Sequence, residues 1–256
     1  MNSEEVLAFT LRGEYGHFRK FNTTTSPLSY SLPGPTALAG VLGAVLGIER
    51  EDSKGKLPGG GEALREAFAP KRCRWAVQVI HPVKKVYIGF NLINTKAFAD
   101  YYNLDGRANK GRTQVEFELL KDLAYRIYLQ WDHPRRDELA ERLAARRHHF
   151  TPYLGLSQFT AELDGEGTER LKQVVSENEY EACHSAVNLN LLQGEGRLID
   201  FGDEQHYHTD TLPLEMNMKR EIGRYGEVLL ETKGNAVQVK GAELYCTEAG
   251  QHIQFL

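Results

Sequence analysis

Val6, Leu7, Ala8, Phe9, Thr10 and Leu11 constrain the fold more than any other stretch of the chain. Leu7, Phe9 and Leu11 share one parity, while Val6, Ala8 and Thr10 share the other. The period is that of a strand, and side chains this apolar on both faces read as a strand buried near the N-terminus. A polar, aromatic loop is expected over residues 13–34. Pro35 then stands at the first position of a helix over residues 36–46, where its missing N–H costs nothing. Gly40, Gly43 and Gly47 recur along it at helical spacing. Each interior glycine costs a helix about 1 kcal/mol against alanine, so they are expected to allow very close packing, with Gly43 against a neighbouring strand.

Residues 54–61 read as a loop and 62–68 as a short helix. Alternation returns at Cys73, Trp75, Val77 and Val79, at Val86, Ile88 and Phe90, at Val115, Phe117 and Leu119, and at Tyr125, Ile127 and Leu129. Pro134 opens a second helix. Leu139 and Leu143 face inward, Arg135, Arg136, Arg142, Arg146 and Arg147 decorate it, and its basic end suits the helix dipole. After Gly155 the pattern is of short strands, at 171–175, 187–192, 197–201, 211–216, 228–231, 236–239 and 253–256. Strand–helix–strand, repeated, predicts an α+β chain of ferredoxin-like, RRM type over residues 1–160. Residues 161–256 are expected to form an appended antiparallel β-sheet region. Leu7, Phe9, Leu11, Leu38, Val41, Leu42, Val45, Trp75, Val77 and Val79 are the expected core.

Three widely spaced cysteines (73, 183 and 246) form no Cys-x-x-Cys pair, which points to a reducing compartment without a disulfide framework or zinc finger. No secretory signal opens the chain, and the longest apolar run, 37–48, is too short and glycine-rich to span a bilayer. A cytoplasmic protein without membrane contact is expected. The net charge of −4 argues against nucleic acid until its distribution is read: residues 71–112 carry nine Lys/Arg against two acids. Residues 113–256 carry 15 against 25. Screening confines a field to about 8 Å at physiological salt, so a local basic region holds phosphates whatever the total.

Enzyme signatures are weak. Gly34 and Gly40 precede a helix, but no Lys-Ser or Lys-Thr follows as a phosphate-binding loop requires. His206, His208 and Asp210 alternate, so a strand would aim all three one way, yet no fourth metal ligand stands nearby. No cofactor is expected. The loop after the first strand is different. Tyr15, His17, Phe18 and Phe21 offer rings for stacking, Arg19 and Lys20 offer charge, and Thr23, Thr24, Thr25 and Ser26 offer four hydroxyl donors. That mixture suits single-stranded RNA, held by stacking and backbone contacts. Residues 90–113, basic and without an apolar period, are expected to be functional rather than packed onto the core.

Leu11-Arg12-Gly13-x-Tyr15-Gly16-His17-Phe18-Arg19-Lys20, Thr23-Thr24-Thr25-Ser26-Pro27-Leu28-Ser29-Tyr30 and Thr36-Ala37-Leu38-Ala39-Gly40-Val41-Leu42-Gly43 resemble the opening of the CRISPR-associated Cas-five family. This is a RAMP-superfamily subunit of Cascade complexes. Val77-Gln78-Val79-Ile80-x-Pro82-Val83-Lys84-Lys85, Thr113-Gln114-Val115-x-Phe117-Glu118 and Tyr153-Leu154-Gly155-Leu156-Ser157 are similar to its type I-B branch. The resemblance covers about residues 7–161, and beyond it only Leu212-Pro213-Leu214-Glu215 is familiar.

It implies a non-catalytic subunit that grips the 5′ handle of the guide crRNA in antiviral defence. Such a subunit abuts the terminal backbone subunit, helps seat the large subunit, and meets target DNA indirectly or near its PAM-proximal end. Residues 90–113 fit the family's protruding hairpin, the thumb. Beside the first-loop residues, Lys84, Lys85, Asn91, Lys96, Tyr101, Tyr102, Arg107, Lys110 and Arg112 are then expected on RNA. One branch of the family, from type I-C systems, cleaves precursor guide RNA without metal. Tyr15, His17, Lys20 and Tyr30, or His148 and His149, supply the acid, base and cation for that alternative.

Overall fold

The doubly apolar N-terminal pattern becomes β1 (Glu5–Gly16), a strand flanked on both sides within its sheet and covered on both faces. The computed structural model describes residues 5–21, 23, 26–52, 57, 59–93, 112–176, 179–217 and 221–256. In the first sheet β2 (Cys73–Val79), β4 (Arg112–Trp131), β1 and β5 (Glu162–Arg170) lie in that order, every pair antiparallel. With helices between β1 and β2 and between β4 and β5, this is the order and sense of a ferredoxin-like unit.

One face of the sheet packs Leu7, Phe9 and Leu11 against α1 (Pro35–Leu46) and α3 (Arg136–Ala144), through Leu38, Leu42, Val45, Leu139 and Leu143. The other buries Val6 and Ala8 with Ala76, Tyr128, Leu171, Ile253 and Phe255. All ten expected core residues are buried. A buried leucine or phenylalanine contributes about 1.5–3 kcal/mol through area removed from water, so this double coverage anchors the chain's N-terminal part.

α1 ends because Gly47 takes φ 71° and its N–H donates to Gly43 O, a left-handed cap. Arg135 Nη2 donates to Leu46 O (2.8 Å) and Arg142 Nη1 to Val45 O (3.4 Å), so the N-cap arginine of α3 and one within it serve the last carbonyls of α1. The close approach expected of Gly43 is real, but its neighbour is Leu64 of α2 (Leu64–Ala67) rather than a strand. A Cβ on Gly43 would stand 2.4 Å from Leu64 Cδ1, whereas one on Gly40 would meet open space.

Other differences have physical causes. The loop placed at 13–34 begins only after Gly16, because β1 keeps pairing with β4 through Gly16↔Leu120. The two strands read at 115–119 and 125–129 are one strand of 20 residues. Its second half pairs with β2, and its first half with β3 (Lys84–Ile93). Asp122, between the two ladders, has φ 51°. β5 was not expected, being a polar, glycine-bearing edge strand; its pairing with β1 carries the first sheet through Arg170.

The rest of the chain is β. β10 (Tyr207–Met216), β11 (Ile222–Glu231) and β8 (Val187–Asn188) make a three-stranded sheet that lends Leu212, Leu214, Val228 and Leu230 to the main core. The third sheet runs β6 (Lys172–Ser176), β13 (Ala242–Cys246), β14 (His252–Ile253), β7 (Glu181–Cys183), β12 (Val237–Val239), β9 (Ile199–Asp200). It is antiparallel except between β14 and β7. Among the described residues no helix is long and apolar enough to cross a membrane.

Candidate nucleic-acid interface

The loop after β1 folds back on itself. Tyr30 N donates to Phe18 O and Lys20 N to Leu28 O, both at 2.8 Å, with an isolated bridge between Arg19 and Ser29. Two buried carboxylates staple this small ladder to the sheets beneath. Glu118, on β4, accepts from Ser29 N (3.1 Å) and holds Lys85 Nζ at 3.0 Å, while Lys85 also donates to Ser29 O (2.8 Å). Asp210, on β10, binds Lys20 Nζ and accepts from Ser31 N (2.9 Å), and its Oδ2 lies 3.4 Å from His208 Nε2. Burial alone would push both carboxyls up. For Asp210 the His208, Lys20 and Ser31 contacts outweigh it and hold the carboxyl well below the usual range. For Glu118 the Lys85, Tyr87 and Ser29 contacts do the same.

Several residues expected on RNA are thereby committed to structure. His17 is 2 % exposed. Its Nδ1–H donates to Glu118 O (2.9 Å), its ring meets Phe117 edge-on, and burial lowers its pKa, so the ring is neutral. Phe18 lies in the main core. Lys20 faces Asp210 and the Tyr30 ring, and Lys85 is spent on Glu118 and Ser29. Thr23 donates its hydroxyl to Lys20 O. Arg19 is exposed and donates to Thr23 O, and Ser26 is exposed in the same loop. Half-buried Tyr15 packs on Phe159.

β3 and the first half of β4 form a ladder of ten residue pairs, from Lys84↔Lys121 to Ile93↔Arg112, and β1 reaches only its base. Val86, Ile88, Phe90, Val115, Phe117 and Leu119 share one face, and Phe90 packs edge-on to Phe117. On the same face at the base, Tyr15, Lys121 and Lys84 stand in one row across three strands. Like charges directly opposite are destabilising. Neither lysine has a carboxylate partner among the described residues, so the row presents two uncompensated cations. Asn91 and Arg112 are exposed near the far end. Thr24, Thr25, Lys96, Tyr101, Tyr102, Arg107 and Lys110 lie outside the described residues.

Lys121 was missed from the sequence, although it ends the apolar alternation of 115–119 in register with Lys84. Tyr225 was missed too; on β11, 41 % exposed, it contacts Phe21 of the first loop. No local pattern marks it. The groups considered for cleavage differ in setting, and His148 and His149 are exposed. His17 is buried, Lys20 is paired, and Tyr30 is buried with its hydroxyl pKa raised by burial. The possible metal trio is not gathered: among the described residues no three His, Cys, Asp or Glu side chains could hold a metal ion, and Asp210 serves the loop. A cleft of about 940 Å³ lies between α1, α2 and the third sheet, and none of the residues expected on RNA lines it.

No curated protein matches the sequence. A family model described as CRISPR-associated protein (Cas_Cas5) matches residues 6–224. A chain of a CRISPR RNA-guided surveillance complex is 13% identical over 96% of this chain and 92% of its own, with TM-score 0.50. A chain of the Type III-B Cmr-beta complex bound to cognate target RNA and AMPPnP is 12% identical over 90% and 86%, with TM-score 0.50. At such identities the likeness is one of fold.

Proposed function

Because the chain belongs to the CRISPR-associated Cas5 family, the Cas-five family of the sequence resemblance, we propose that it is a non-catalytic subunit of a type I-B-like Cascade complex in the cytoplasm. In this reading it holds the 5′ handle of the guide crRNA, abuts the terminal backbone subunit and contacts the large subunit. Target DNA meets it indirectly or at the PAM-proximal end. The observation that carries the RNA reading is the β3–β4 ladder, which runs past the end of β1 and bears at its base the Lys84–Lys121 row, without a carboxylate partner among the described residues. Its connecting segment supplies Lys96, Arg107 and Lys110, and we assign ladder and segment together as the thumb. Guide pairing reads the DNA sequence in such systems, leaving this subunit to recognise RNA shape and backbone.

Residues 1–160 completed by β5 form the RNA-holding unit, with the β-rich remainder appended to it. Binding of the full chain to handle-bearing RNA, compared with an equal-length RNA of scrambled handle, tests the assignment. Tighter binding of the handle is expected, and equal binding removes handle recognition. In the same assay with EDTA, precursor repeat RNA is expected to stay intact; a defined cut would establish the nuclease alternative.

A further inference from the structure

Phe21, at the turn of the first loop, is 57 % exposed, and Tyr225 of β11 is 41 % exposed. Their ring centroids lie 5.0 Å apart with planes tilted by 47°. We infer that this pair is a stacking platform for one unpaired base of a single-stranded RNA. The inference rests on the RNA-binding reading above and assigns to it a second contact, from an element 200 residues away in sequence.

Each ring stands on a chain segment tied to the fold. Lys20, next to Phe21, is tied to Asp210, and Lys20 N donates to Leu28 O. Tyr225 sits between Arg224 and Gly226, opposite Pro213 on β10. A Cβ on Gly226 would stand 2.5 Å from Leu214 Cδ1, so the strand beside the ring is pinned to the core. Two aromatic groups left in water on fixed backbone make a preorganised apolar face. It is far too small for a protein interface, which buries about 800 Å² on each partner, but it matches a single base. Every base has a π-face, so such a platform is sequence-tolerant. Arg19 is exposed two residues before Phe21 and Ser26 adds an exposed hydroxyl in the same loop, whereas Arg224 alternates to the other face of β11, opposite Glu215. The nearby acid Asp210 is already neutralised by Lys20, while exposed Glu227 stands two residues along from Tyr225.

The test uses the full chain and single-stranded oligoribonucleotides carrying one 2-aminopurine at successive positions, whose fluorescence is quenched by stacking. Wild type should quench the probe at one position. Phe21→Leu with Tyr225→Leu should abolish that quenching and weaken binding about ten-fold, the scale of losing one stacked base, without changing the salt dependence. Phe21→Tyr with Tyr225→Phe should retain both quenching and affinity. Unchanged thermal melting of the leucine variant, expected for two exposed rings, separates lost stacking from misfolding. Full quenching and unchanged affinity in the leucine variant overturn the platform while leaving the RNA reading intact. No RNA binding by wild type overturns both.

Discussion

Asp210 and Glu118 each keep a charge in the interior because a backbone N–H of the first loop and a basic side chain reach them, Lys20 of that loop for Asp210 and Lys85 of β3 for Glu118. Removing one member of a buried pair leaves the other uncompensated. Asp210→Asn should therefore lower stability by about 2–3 kcal/mol, read as a lower urea midpoint. Both carboxyls are held below their unfolded values, so their stabilisation is complete above the unfolded carboxyl pKa, about 4. It is lost as pH falls through the lower folded values. The melting temperature should fall on acidification below about pH 4, and Asp210→Asn should make that fall shallower; a parallel acid profile would mean Asp210 is not the coupled group. At this scale the sequence was misleading about Lys20, Lys85 and His17. Their types suit phosphate, but Lys20's acid lies 190 positions away, and nothing local announces such a partner. Arg19 and Lys84 are exposed.

α1 offers the sharpest contrast between elements legible and illegible in sequence. Its Pro35 start and Gly47 stop follow from backbone chemistry and were readable, whereas the neighbour of Gly43 depended on how α2 folds back. Gly43→Leu should overpack Leu64 and cost about 1–3 kcal/mol. Gly40→Ala meets open space and should stabilise by up to about 1 kcal/mol through helix propensity. Paired denaturant titrations check both, and equal effects would mean that the two positions are equally open. β5 escaped notice because Gly165 and Gly167 and five charged residues give it no alternation. β4 was read as two strands because Lys121 and Asp122 interrupt its apolar period where it changes partner.

The ferredoxin-like order was legible in the whole molecule because its two crossovers are helical and each helix begins at or near a proline. The way the C-terminal strands assemble into two sheets was not, since all but β10 and β11 are short strands of two to five residues that carry little pattern, and one pair runs parallel. Charge is uneven at this scale: a net −4 chain concentrates its basic excess in residues 71–112, of which Lys84, Lys85 and Arg112 stand on the β3–β4 ladder. The central claim is that this ladder holds the guide RNA backbone, and the salt dependence of RNA binding measures it most directly. Each single-strand phosphate neutralised contributes a log–log slope of about −0.7. Lys84→Ala with Lys121→Ala should therefore reduce the slope for handle RNA by about 1.4 and weaken binding, while the fold melts as wild type does. An unchanged slope, with affinity preserved, would contradict the account.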